Sequence, residues 1–86
     1  MAGGAVSAQS DALDALALCR RTHATLKRSI ARHQDAAEVL AKLDKPASFA
    51  CECAARRLLA ELALVKLDLR RVEFLAEMMQ GSSERA

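Results

Sequence analysis

Apolar and small residues recur along this chain at alternating steps of three and four. One series runs Leu16, Cys19, His23, Leu26, Ile30, His33, Ala37 and Leu40. A second runs Ala55, Leu58, Leu62, Val65, Leu69, Val72, Ala76 and Met79. Such spacing puts each series on one side of an α-helix and marks a seam of the coiled-coil kind. Between the two, Asp44-Lys45-Pro46-Ala47-Ser48 breaks the pattern. Proline has no amide hydrogen to donate, and it disfavours helix at the residue before it. The pattern predicts helix 1 over about residues 11–43, a turn at about 44–48 and helix 2 over about 49–80.

The ends of these elements carry their own signals. Ser10 is a candidate N-cap, with Asp11 and Asp14 in the first turn, where carboxylates oppose the helix dipole. Ser48 is a candidate cap for helix 2, although Pro46 also suits that helix's first turn. Gly81 is the expected C′ residue beyond it. Residues 1–9 and 81–86 are small and polar, and they read as disordered tails around a hairpin of residues 10–80. The seams also fit each other when antiparallel. Leu40 falls opposite Ala55, Ala37 opposite Leu58, Ile30 opposite Val65 and Leu16 opposite Met79. That register centres the bend beside the only proline.

Helix 2 carries more apolar surface than one seam uses. Stepping about 100° per residue puts Cys53, Ala60, Leu64, Leu67, Phe74 and Met78 on the side away from helix 1. Arg56, Arg57 and Arg71 border or interrupt this second stripe. A two-helix hairpin covers only one side of each helix, so Leu64, Leu67, Phe74 and Met78 are expected to face outward. They form the candidate partner-docking stripe. Burying a side chain of that size gains about 1.5–3 kcal/mol.

Composition sharpens the expectation. Aromatic content is 2%, with no Trp and no Tyr, so core volume must come from aliphatic residues and Ala. That suits close-packed helices and disfavours a β-sandwich. Ordering about 65 residues costs on the order of 100 kcal/mol, which a small single core barely balances. The fold expected is all-α: an antiparallel two-helix hairpin that completes a helical bundle by association. The partner is another helical protein or a second copy of the chain.

Net charge is +2, which demands no polyanionic partner. The charge is nevertheless unevenly placed. Arg20, Arg21, Lys27, Arg28 and Arg32 lie in a stretch without acidic residues between Asp14 and Asp35. They make a stripe about 18 Å long on helix 1, opposite its seam. Such a stripe can meet an acidic protein, nucleic-acid phosphates or an anionic membrane surface. No stacking aromatics interleave with it, as nucleic-acid modules usually require. Its helix also has no apolar side free for a membrane.

No catalytic set emerges. There is no Gly-rich phosphate loop and no nucleophile with a base and an orienting group. Cys19 and His23 are spaced i, i+4 and Cys51 and Cys53 form a CxC pair, but the hairpin holds these two pairs about 35–40 Å apart. No single metal ion spans that gap, so neither metal nor cofactor is expected. His23 and His33 fall on the seam and read as partly exposed structural histidines. No apolar run is long enough for a transmembrane helix. The first residues lack the basic-then-apolar order of a secretory signal. Three cysteines without such a signal point to a reducing compartment, cytoplasmic or nuclear.

Lys66-Leu67-Asp68-Leu69, followed by Arg70-Arg71-Val72, resembles the signature of the KxDL family, small coiled-coil subunits of lysosome-positioning complexes. The likeness covers these residues alone and implies a helical subunit of a larger complex. The proline break departs from the long uninterrupted helix expected of that family. The architecture also resembles ROP-type dimers of helical hairpins, which bind RNA. The function expected is that of a non-enzymatic subunit or adaptor in a protein assembly. The alternative is a homodimeric four-helix bundle that binds RNA or DNA through the basic stripe.

Overall fold

Long runs of Ala, Leu, Arg, Lys and Glu favour helix at nearly every position, because straight-chain residues and Ala lose little freedom on entering one. In the computed structural model they form two helices, α1 (Ala2–Leu40) and α2 (Lys45–Arg85), packed against each other as an antiparallel hairpin. The structure describes the backbone of residues 2–85 and the side chains of residues 8–81. The molecule is a rod of 63 × 16 × 15 Å with a radius of gyration of 19.1 Å. A compact chain of this length has a radius of gyration of about 12 Å.

The bend is tighter than the sequence suggests. Leu40 ends α1, and its carbonyl accepts bonds from the amides of Leu43 (3.0 Å) and Asp44 (2.7 Å). Asp44, rather than Ser48, then caps α2. Its Oδ1 accepts the amide hydrogen of Ala47 at 3.2 Å, and its carbonyl accepts that of Ser48 at 3.0 Å. A carboxylate there satisfies an amide that has no partner within the helix and opposes the positive end of the dipole. Pro46 falls within the first turn, where its missing amide hydrogen costs nothing. With the first turn so organised, Lys45 is helical despite preceding a proline. Helix 2 therefore starts about one turn earlier than its periodicity indicates.

That early start frees Ser48 for another role. It is buried, and its hydroxyl donates to the Ala37 carbonyl of the other helix at 2.7 Å. Ala37 also shares an interhelical cleft with Ala55. The chain thus places Ala37 between Ser48 and Ala55, nearer the bend than Leu58, its partner in the sequence-derived register. Small side chains at Ala37, Ser48 and Ala55 let the two backbones approach closely at this end.

The seams themselves stand as the spacing predicts. Leu16, Ile30, Ala37, Ala55, Leu62 and Ala76 are buried, and every other seam position is half-buried. Among the described residues, however, no side chain is wholly withdrawn from water. One seam between two helices leaves its edges wet.

The helix ends differ from expectation. Helix runs from Ala2 through Ser10, so Ser10 is an exposed interior position and not a cap. Gly81 keeps a right-handed helical backbone, and α2 continues to Arg85. No proline stands before Ser10 or between Gly81 and Arg85 to stop either helix, although Gly3, Gly4 and Gly81 weaken it. Met1 and Ala86 lie outside the described residues, as do the side chains of residues 1–7 and 82–86.

Candidate interaction surface

The surface that stands out is the outward side of α2. Counting from the buried seam, the positions opposite it run Cys53, Arg57, Ala60, Leu64, Leu67, Arg71, Phe74 and Met78. Their steps alternate four and three, so α2 carries a second heptad pattern back to back with the first. Leu64 is 64% exposed, Leu67 57%, Phe74 62% and Met78 56%. Cys53 is half-buried, while Arg57, Ala60 and Arg71 are exposed. All four residues of the docking stripe therefore face outward on one line.

Charges border this line unevenly. Arg56, Arg70 and Glu77 follow one edge, and Glu61 and Asp68 follow the other, all exposed. The line from Cys53 to Met78 extends for about 38 Å at 1.5 Å per residue. It has the length and spacing of a helix-docking seam and lacks the concavity of a small-molecule site. The clefts on the molecule instead flank the α1–α2 seam. One of them measures about 490 Å³ and lies open along Ala37, Ala55 and Leu59.

Sequence reasoning missed several exposed apolar residues. Phe49 lies on the same side of α2 as Leu67, one helical turn before Cys53. Its membership was hidden because helix 2 was expected to begin at that residue. Leu75 broadens the stripe next to Phe74. Val39 and Leu43, spaced i, i+4, leave an apolar patch at the bend, and Leu43 is the most exposed of all. Leu13, Leu18 and Leu59 are also exposed, singly, as surface leucines often are.

On α1, Arg20, Arg21, Lys27, Arg28 and Arg32 are all exposed; Arg21, Arg28 and Arg32 turn away from α2, whereas Arg20 lines a cleft with Glu73 and Glu77 of α2 at the edge of the seam. Arg28 reaches Thr25 Oγ1 at 3.5 Å. The apolar outward side of α2 and the basic outward side of α1 thus face away from each other across the hairpin. His33 is half-buried, and its Nδ1 lies 2.7 Å from the Ser29 carbonyl, one turn earlier. A carbonyl only accepts, so Nδ1 carries the proton. Cys19, Cys51 and Cys53 are free and half-buried. No group of His, Cys, Asp or Glu among the described residues is arranged to hold a metal ion. No described helix is long and apolar enough to cross a membrane.

No family model matches the chain, and no curated protein or solved structure is significantly similar to it.

Proposed function

We propose that the chain is a non-enzymatic helical-hairpin subunit or adaptor whose α2 docks onto another helix within a protein assembly of the cytoplasm or nucleus. The observation that carries this reading is the second heptad line, with Leu64, Leu67, Phe74 and Met78 each more than half exposed. A rod with one seam wet at its edges has little internal stability, and covering a second seam supplies what it lacks. Exposed total area points the same way. A compact 9.3-kDa protein exposes about 5,000 Å², whereas this chain exposes 6721 Å². The partners are other helical proteins or a second copy. The basic stripe of α1 sets orientation or meets an acidic neighbour.

The test is affinity capture from cells with quantitative mass spectrometry, comparing the natural chain with a Leu67→Glu/Phe74→Glu variant. Helical associates should be lost together in the variant. An unchanged set of associates would mean that α2 docks elsewhere or not at all.

A second reading draws on the exposure of all five basic residues along α1. It makes the protein a homodimeric bundle that binds RNA or DNA. Titration with a generic duplex at increasing salt separates the two. Tight binding that falls steeply with salt supports the nucleic-acid reading. Indifference to the duplex supports the docking reading.

A further inference from the structure

We infer that the outward face of α2 is built to pair with the same face of a second copy, antiparallel, across a two-fold axis near Leu64 and Leu67. This rests on reading that face as a docking surface and names its occupant. Two arginines, Arg57 and Arg71, interrupt the line. In a parallel pair, identical positions meet, so Arg57 would face Arg57 and Arg71 would face Arg71 across the seam. Like charges held together in a partly desolvated seam repel.

The antiparallel pair removes both conflicts. Place Leu64 of one copy opposite Leu67 of the other. The same alignment sets Arg57 opposite Phe74, where a guanidinium is attracted to the ring face. It sets Arg71 opposite Ala60, long beside short, so that two full-sized side chains do not compete for one layer. Cys53 then meets Met78, and two-fold symmetry repeats every layer.

The edges follow suit. In this alignment Arg56 of each copy borders Glu77 of the other. The opposite edge brings Glu61 towards Asp68 of the second copy. Arg57, one turn before Glu61, and Arg71, one turn after Asp68, stand beside that acidic pair and offset its repulsion.

The hairpin as a whole exposes about 1,700 Å² more than a compact chain of its mass, and a standard interface takes about 800 Å² from each partner. The product is a layer of four helices with both α2 helices inside. The basic faces of α1 form its two outer rims.

Two measurements on the full chain test this. Sedimentation equilibrium should show a dimer. Cys53 and Met78 are too far apart along one helix to join within a chain, so Met78→Cys in a Cys19→Ala/Cys51→Ala background should oxidise to a covalent dimer through the native Cys53. Adding Cys53→Ala should abolish that link. A link that persists between the two residues at position 78 would indicate parallel pairing and overturn the proposal. Separately, Arg56→Glu or Glu77→Arg alone should weaken the dimer about tenfold, roughly 1.4 kcal/mol, and the double reversal should restore it. Single reversals without effect would overturn the register. A monomeric chain whose cellular associates are lost in Leu67→Glu/Phe74→Glu overturns self-pairing and leaves the docking reading standing. A monomer whose associates ignore that variant removes both.

Discussion

Leu62 and Leu64 lie two positions apart on α2, and truncating each to Ala should cost very different amounts. Leu62 is 8% exposed and belongs to the seam with α1, whereas Leu64 is 64% exposed and turns away from it. Core Leu→Ala changes cost about 2–5 kcal/mol. The Leu62 site is flanked by water on both edges and can partly collapse, which places it near the low end, about 2–3 kcal/mol. Only about a third of Leu64 is covered, so its truncation removes about 0.5–1 kcal/mol of burial. The higher helix propensity of Ala offsets about 0.2 kcal/mol of that. Thermal unfolding of the two variants, followed by far-ultraviolet circular dichroism at low protein concentration, should differ by about 10 °C, at 4–8 °C per kcal/mol. The protein-concentration dependence carries the second half of the test. The Leu62→Ala deficit should stay constant across concentrations, because that seam is internal. The Leu64→Ala deficit should grow with concentration, as the natural chain gains from association and the variant does not. Equal deficits at low concentration would refute the two-faced description of α2. A Leu64→Ala deficit that ignores concentration would leave its exposed face without a partner.

Other expectations follow from the bend and the ends. Asp44→Ala removes the carboxylate cap from the Ala47 amide and should cost about 1 kcal/mol in thermal or urea unfolding. No loss would show that the cap is dispensable. Ser48→Ala deletes the bond to the Ala37 carbonyl, which still accepts the Ala41 amide at 2.9 Å. With no carbonyl orphaned, the expected cost in the same unfolding assay is about 1 kcal/mol. Gly81→Ala should raise stability by about 0.5 kcal/mol. Gly81 is helical, and a Cβ there meets nothing within 4 Å. Destabilisation in the unfolding assay would instead indicate the left-handed cap that the sequence suggests.

The hairpin was legible because its signal is redundant. Eight seam positions on each helix, one proline and a missing apolar residue across the bend all specify the same chain reversal. The outward position of Leu64, Leu67, Phe74 and Met78 was legible for the same reason, since helix geometry leaves them nowhere else to go once the first seam is assigned. What escaped was local. Asp44 and Ser48 both favour caps, and sequence alone ranks them nearly equally. The choice falls to Asp44 because α2 can then begin at once with Pro46 in its first turn. Ser48 is thereby carried into the interface, where its hydroxyl finds the Ala37 carbonyl. Moving one cap moved the register of Ala37 and brought Phe49 into the outward stripe. Gly81 and Ser10 show the converse: residues with strong terminal preferences stay helical when nothing nearby forces the chain to turn. The same physics makes the proposed docking surface readable and its occupant hard to read. Exposure is set by one helix, but complementarity belongs to two. Here Arg57 and Arg71 carry the discriminating information. On an apolar line of leucines alone, parallel and antiparallel pairing would be nearly equivalent. Setting Arg57 and Arg71 each against its own copy makes the parallel orientation costly, and Phe74 and Ala60 stand at the positions that accommodate them in the other.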